Sequence, residues 1–220
     1  ASDVYKRQEQ NAGKGRMGKS FYSPSKTGIY VSILLRPSIS AEESLFLTTS
    51  AAVATARAIE DVSDKTADIK WVNDVYINNK KVCGILTEGA FNAETGQLDY
   101  AIVGIGVNVC FPEGGFPAEI ENVATAVFDK QTDSTNKRSM LIAHLLDYFM
   151  ENYKELTSKK FVKEYIERSM ILGKEILLIE GNNTIPATAM EIDKKCRLKV
   201  KLKDDTTRWL SSGEVSIRIN

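Results

Sequence analysis

Residues Gly28–Arg36 (GIYVSILLR) form a run of β-branched and apolar side chains ended by Pro37, and they predict a strand. Ser40, with Glu43 three residues later, reads as a capping box, and the alanine-rich stretch behind it predicts a helix to about Ile59. A meander of strands is expected next. Ile69–Trp71 and Val75–Ile77 lead through an Asn78-Asn79 turn into Lys81–Glu88, and Leu98–Val109 follows a turn at Glu94–Gln97. Helical spacing returns over about Lys137–Leu156 and Lys160–Ser169.

The texture changes after Gly173. Glu175–Glu180, Thr184–Ile192, Leu198–Leu202 and Val215–Ile219 are short strand patterns parted by Gly-Asn-Asn, Asp-Lys-Lys, Asp-Asp and Ser-Ser-Gly. Such spacing predicts a small all-β barrel of about 50 residues. The expected organisation is therefore α+β: residues 1–170 as a mixed sheet packed with helices, and 171–220 as an SH3-like barrel, with the boundary near 170–173. Ala1–Gln8 shows no periodicity, cap or strand signal and reads as a scar of assembly.

Hydrophobic residues make up 43% of the chain, enough to build a core. The 29 basic and 29 acidic residues cancel, so no overall field draws nucleic acid or an anionic membrane, and any positive charge that matters must be local. No apolar run approaches the ~18 residues needed to span a bilayer, and no signal-peptide pattern opens the chain. Cys83, Cys110 and Cys196 are widely spaced, odd in number and in no CxxC pair, which predicts reduced thiols in a cytoplasmic protein with no zinc site. His144 lies among Ile142, Leu145 and Leu146 and is expected to be structural.

Gly13-Lys14-Gly15-Arg16-Met17-Gly18-Lys19-Ser20 matches GxxxxGK[ST], the phosphate loop of nucleotide hydrolases. That loop works only between a buried strand and a helix, whose N-terminus and backbone N–H groups cradle the phosphates. Gln8-Glu9-Gln10-Asn11 is no buried strand, and Pro24 and Gly28 break any helix that would follow. The hydrolase reading is set aside. What survives is a bendable backbone carrying three cations, Lys14, Arg16 and Lys19, of which Arg16 suits bidentate binding of a carboxylate or phosphate.

Two further segments carry chemistry. In Asp68-Ile69-Lys70-Trp71-Val72-Asn73-Asp74, the anchors Ile69 and Trp71 point to one face of a strand and Lys70 to the other, with Asn73 and Asp74 at the turn. Downstream, Lys81–Glu88 returns as the neighbouring strand, with Gly84 leaving space above its backbone. In Val103-Gly104-Ile105-Gly106-Val107-Asn108-Val109, two glycines on one face let a flat group lie against the sheet, and Asn108 offers both a donor and an acceptor, as an adenine edge requires.

In order and spacing, these segments resemble the biotin–protein ligase family. The family's basic loop resembles Gln10–Gly18, continuing through Ser23-Pro24 to Leu35-Arg36-Pro37. Its KWPND segment resembles Lys70–Asp74, its GIL-x-E segment Gly84–Glu88, its GIGxN strand Gly104–Asn108, and its C-terminal end Gly213-Glu214-Val215-Ser216. Val72 stands where the family usually has proline, and Lys14 where it often has arginine.

The resemblance implies a class II synthetase-like catalytic domain that uses ATP and Mg²⁺ to make biotinyl-5′-AMP. The biotin then passes to a lysine of a biotin carboxyl carrier protein. It implies that Arg16 and Lys70 are catalytic, that Gln10, Lys14, Gly15 and Gly84 join them in binding biotin or its adenylate, and that Asn73 and Asn108 bind nucleotide. It is compatible with a homodimer. The family's strand and helix ahead of the basic loop, and its DNA-binding helix-turn-helix, have no counterpart before Gln10, so a role with nucleic acid is not expected. A lipoate ligase or acyltransferase of the same superfamily is the nearest alternative.

Overall fold

Strand β2 (Gly28–Leu35) buries Ile29, Val31, Ile33 and Leu35 on one face and turns Tyr30, Ser32 and Leu34 to the other. The computed structural model describes residues 3–7, 9–40, 42–129 and 136–217. On one side β2 pairs with β6 (Leu98–Asn108); on the other it pairs with β1 (Asp3–Arg7). Beyond β6 lie β5 (Lys80–Phe91), β4 (Asp74–Ile77) and β3 (Asp68–Lys70), in the order β1-β2-β6-β5-β4-β3. Every pairing between these strands is antiparallel. The parallel component of the expected mixed sheet is confined to isolated bridges such as Ile69 with Ser169.

β1 is a strand within the opening segment, where the sequence signalled none. All five of its residues are exposed, so no burial pattern marks them, and main-chain pairing with β2 holds them in place. The Asn78-Asn79 turn takes the expected form, with φ of 50° and 61°, a double left-handed conformation that asparagine tolerates.

Helix α1 (Leu45–Val62) lies across the sheet. It follows one 3-10 turn at Glu42–Ser44. Half of the capping box forms: the Glu43 carboxylate accepts the Ser40 N–H at 3.1 Å, while the Glu43 N–H goes to the Ser40 carbonyl instead of the hydroxyl. Ala51, Ala52, Ala54, Ala56 and Ala58 are fully buried; being small, they let α1 approach both the sheet and its covering helices, α2 (Lys137–Lys154) and α3 (Phe161–Glu167). Its buried hydroxyls are satisfied locally, Thr55 donating to the Ala51 carbonyl at 2.7 Å. Beside α1, His144 of α2 lies 3.3 Å from Asp61 and stacks on Tyr148, which fits the expected structural role.

The chain's second sheet is also antiparallel, ordered β10-β9-β8-β7-β11: β7 (Glu175–Glu180), β8 (Asn183–Ile192), β9 (Leu198–Leu202), β10 (Thr207–Leu210) and β11 (Glu214–Ile217). β10 is not among the expected strands. Residues 218–219 of the expected last strand lie outside the described residues.

Both sheets contribute to one buried cluster, from Ile29 and Val31 to Leu178 and Val200. Trp71 joins them: its ring is 3% exposed, and its Nε1–H donates to the Cys196 carbonyl at 2.9 Å. Buried Tyr165 donates its hydroxyl proton to the Val72 carbonyl at 3.0 Å. Cys83, Cys110 and Cys196 are buried and joined in no disulfide, and burial pushes the Cys196 thiol up to about 12.

Candidate active site

The glycine-rich loop is a tight hairpin. Lys14 bridges to Ser20, the Gly15 N–H donates to the Lys19 carbonyl at 2.7 Å, and the Phe21 N–H donates to the Gly13 carbonyl at 2.8 Å. At its tip, one 3-10 turn holds Met17 at φ 57°. Backbone N–H groups that a phosphate loop would aim at a nucleotide are here spent within the hairpin. No helix follows, which confirms the setting aside of the hydrolase motif.

The hairpin places Arg16 over the start of β4. Arg16 Nη1 donates to Asn73 Oδ1 at 2.9 Å. The Asn73 amide nitrogen in turn donates to the Ile85 carbonyl at 2.9 Å and to Asp74 Oδ1 at 3.0 Å. Asp74 also receives Lys81 Nζ at 2.8 Å. Arg16, Asn73, Asp74 and Lys81 thus form one connected array, in which Lys81 pairs with the Asp74 carboxylate and Arg16 is held by the neutral Asn73 amide.

Beneath this array is a cavity of about 230 Å³ on the face of the sheet away from α1. Its floor is Gly84, Gly104 and Gly106, and Gln10, Lys14, Gly15, Arg16, Asn73 and Lys81 border it. Of the expected site residues, the structure therefore brings together Gln10, Lys14, Gly15, Arg16, Asn73 and Gly84. Lys70 lies outside this group. It faces away from the core, as the alternation with Ile69 requires, but points to Tyr76, 3.4 Å from the hydroxyl. It borders a neighbouring cavity of about 150 Å³, shared with Arg16 and Asn73. Asn108 borders none of these spaces; its Nδ2 ties β6 to the Thr125 carbonyl at 3.1 Å.

The flat group against the glycines is the protein's own. The Phe21 ring lies over β5 and β6, so that a Cβ added at Gly106 would stand 2.6 Å from it and one at Gly84 3.0 Å. Gly104 is clear of the ring, and a Cβ there would meet only the Leu86 carbonyl, at 3.4 Å. On the far side of Arg16 a larger cavity of about 620 Å³ opens between Thr48, Thr87, Lys195, Arg197 and Ser211. Arg16 borders all three spaces.

Residues 4–108, which hold the hairpin and the glycine floor, match the biotin/lipoate A/B protein ligase family, and residues 171–218 match the biotin protein ligase C-terminal domain. The chain belongs to the biotin/lipoate protein ligase family. Among its relatives is the bifunctional ligase/repressor BirA of Bacillus subtilis, 37% identical over 153 residues, which are 70% of this chain and 46% of that protein. A biotin–[acetyl-CoA-carboxylase] ligase of Mycobacterium tuberculosis is 23% identical over 215 residues, 94% of this chain and 76% of that one. The chain spans about half the length of the Bacillus relatives it matches. A biotin protein ligase from Aquifex aeolicus in complex with biotin and ATP superimposes with a TM-score of 0.80 at 26% identity, covering 99% of this chain and 89% of that one. The α+β architecture, a large sheet packed with helices followed by a small β domain, is that of this ligase family.

Within this ligase fold, sequence reasoning missed Lys81. It opens the segment that ends in the GIL-x-E match, but its immediate neighbours are Lys80 and Val82, and nothing in the string distinguishes it from a solvated turn lysine. The available signal was spacing: Lys81 stands three residues before Gly84, and its chain lies along that glycine, so that a Cβ at Gly84 would stand 3.2 Å from Lys81 Nζ.

Proposed function

We propose that this chain activates biotin with ATP to biotinyl-5′-AMP and passes it to a lysine of a biotin carboxyl carrier protein. The observation that carries the reading is the convergence of Arg16, Lys81 and Lys14 on a cavity floored by glycine, in a fold shared with a ligase that binds biotin and ATP. The residues before and after position 170 serve as catalytic and C-terminal domains.

A biotin carboxylate oxygen attacks the α-phosphorus of ATP; the new P–O bond forms as the bond to pyrophosphate breaks. An anion must approach a polyanion, so the barrier is electrostatic. Cations fixed beforehand lower it without reorganising. Arg16, locked by Asn73, and Lys81, locked by Asp74, are such cations. Lys70, which borders the adjoining space with Arg16, Asn73 and Lys81, keeps the catalytic role that the resemblance implies, and Lys81 joins it as a further cation. Gln10, Lys14, Gly15 and Gly84 are assigned to biotin, and the Arg16 side of the array, with Asn73 behind it, to the phosphates. In the second step the amine of the carrier lysine attacks the acyl carbon, AMP leaves, and the amine proton is released to solvent.

Among the described residues no group of three His, Cys, Asp or Glu could hold a metal ion. Asp74 is already engaged, which leaves Glu88 as the carboxylate on the cavity wall. Glu88 would be the protein's contribution to a Mg²⁺ carried by ATP, and the ion would offset the charge of the phosphates.

Biotin-dependent exchange of labelled pyrophosphate into ATP tests the proposal, with lipoate as control. Exchange with biotin supports it. Exchange with lipoate alone moves the chain to the sister activity and overturns it.

A further inference from the structure

Gln10 borders the cavity and touches Ser23, a buried residue. Ser23 Oγ lies 2.9 Å from Gln10 Oε1 and 2.9 Å from the Phe21 carbonyl oxygen. Both partners are acceptors, and a serine has one proton to give. The Phe21 carbonyl oxygen can only accept and has no donor to offer in exchange. The Gln10 amide can turn, since exchanging its oxygen and nitrogen hardly alters its shape. Once turned, the amide nitrogen donates to Ser23 Oγ and the serine proton goes to Phe21. The amide oxygen is then left facing the cavity.

Two further observations bear on the same cluster. A Cβ at Gly13 would stand 2.4 Å from the Phe21 carbonyl oxygen, 2.7 Å from Ser23 Oγ and 3.0 Å from Gln10 Oε1, so glycine lets the chain close on these three atoms. Tyr30, on the cavity wall, has a buried hydroxyl with no hydrogen-bond partner. Burial pushes its pKa up, against the pull of the nearby Thr27 and Ser23 hydroxyls.

We propose that Ser23 is a positioning residue which turns the Gln10 amide so that its oxygen, not its nitrogen, meets the ligand, and that the site therefore selects a ring bearing an N–H donor. This deepens the biotin reading and rests on it. A cyclic urea presents two N–H groups, whereas the dithiolane ring of lipoate presents none. The orientation set by Ser23 is a specificity device.

The test measures biotin binding by calorimetry and the biotin dependence of pyrophosphate exchange, on the full chain and on Ser23→Ala, Gln10→Glu and Gln10→Met. Ser23→Ala should raise KM for biotin about five- to tenfold with a much smaller change in kcat, the size expected for one neutral hydrogen bond. Gln10→Glu keeps an acceptor and should bind biotin at least about fivefold more tightly than Gln10→Met, which has neither donor nor acceptor. Equal binding by the two Gln10 variants, or an unchanged KM in Ser23→Ala, overturns the inference alone. If thermal melts show Ser23→Ala unfolded, the Gln10 pair decides. An unsubstituted chain that binds lipoate in preference to biotin, or binds neither, overturns the biotin reading and this inference with it.

Discussion

Arg16 Nη1 donates to Asn73 Oδ1 across 57 residues of sequence, and that bond ties the glycine-rich hairpin to the sheet. Asn73 can hold Arg16 because its own amide nitrogen is spoken for by Ile85 and Asp74, which fixes the direction of its oxygen. Asn73→Ala should release Arg16 and strand the Ile85 carbonyl. Adenylation should fall more than about tenfold, and stability by about 1–2 kcal/mol. Pyrophosphate exchange and urea denaturation read the two losses separately.

The two lysines can be separated by parallel substitution. Lys81→Ala removes a cation from the cavity and should slow adenylation by about a hundredfold or more. Lys70→Ala removes a cation from the adjoining space beside Arg16 and should slow it by about a hundredfold as well. A single-turnover assay with saturating biotin and ATP compares them. An undiminished rate in either variant would remove that lysine from the mechanism.

Gly106→Ala sets a methyl where the Phe21 ring lies, at 2.6 Å. The ring must shift into the cavity, and biotin affinity should drop by about tenfold or more. The double variant Gly106→Ala/Phe21→Ala should recover part of that loss. Calorimetry on the three proteins provides the measurement.

Trp71→Phe keeps the buried ring but loses the Nε1–H that Cys196 accepts. An orphaned buried carbonyl costs about 1–3 kcal/mol. Because the bond spans both sheets, unfolding followed by a probe in each sheet should lose coincidence in the variant and keep it in the parent protein.

Arg168 binds Glu60 through two nitrogens at 2.8 Å each and Glu164 through a third at 2.8 Å; Arg57 also pairs with Glu164. Burial pushes both carboxyls up, but these hydrogen bonds outweigh it and hold both below the usual 4.5. Depressed carboxyl pKa values add stability that is fully present above pH 4.5 and lost as the pH falls through the folded-state values. Melting temperature should therefore fall on acidification below pH 4.5, and fall less steeply in Arg168→Met, in which both carboxylates lose that partner.

Elements that bury a face were legible in the sequence. β2 and α1 announce themselves through β-branched runs and alanine, and Asn78-Asn79 through its turn chemistry. β1 was not, because a strand held only by its main chain leaves no mark on its side chains. Nor was β10: Trp209 alternates with half-exposed Arg208 and Leu210, and the strand lies at the edge of its sheet. At the site, Gln10, Lys14, Gly15, Arg16, Asn73 and Gly84 could be gathered from motifs, since each lies within a conspicuous string. Lys70 drew attention for its place between two anchors, yet alternation says only that it leaves the core, not what it meets. Lys81 owes its position to the pairing of β5 with β4 across the Asn78-Asn79 turn, a register that the local sequence does not display.

The bond between Trp71 and Cys196 also orders events in time. A ribosome adding about 5–20 residues per second delivers Cys196 some 6–25 s after Trp71. Tyr165, whose hydroxyl covers Val72, follows 93 residues after that valine. Throughout this interval a nascent chain displays an indole whose hydrogen-bond partner has not been made. Production of this protein should depend on holdase chaperones, or on slowed synthesis, until the second sheet emerges.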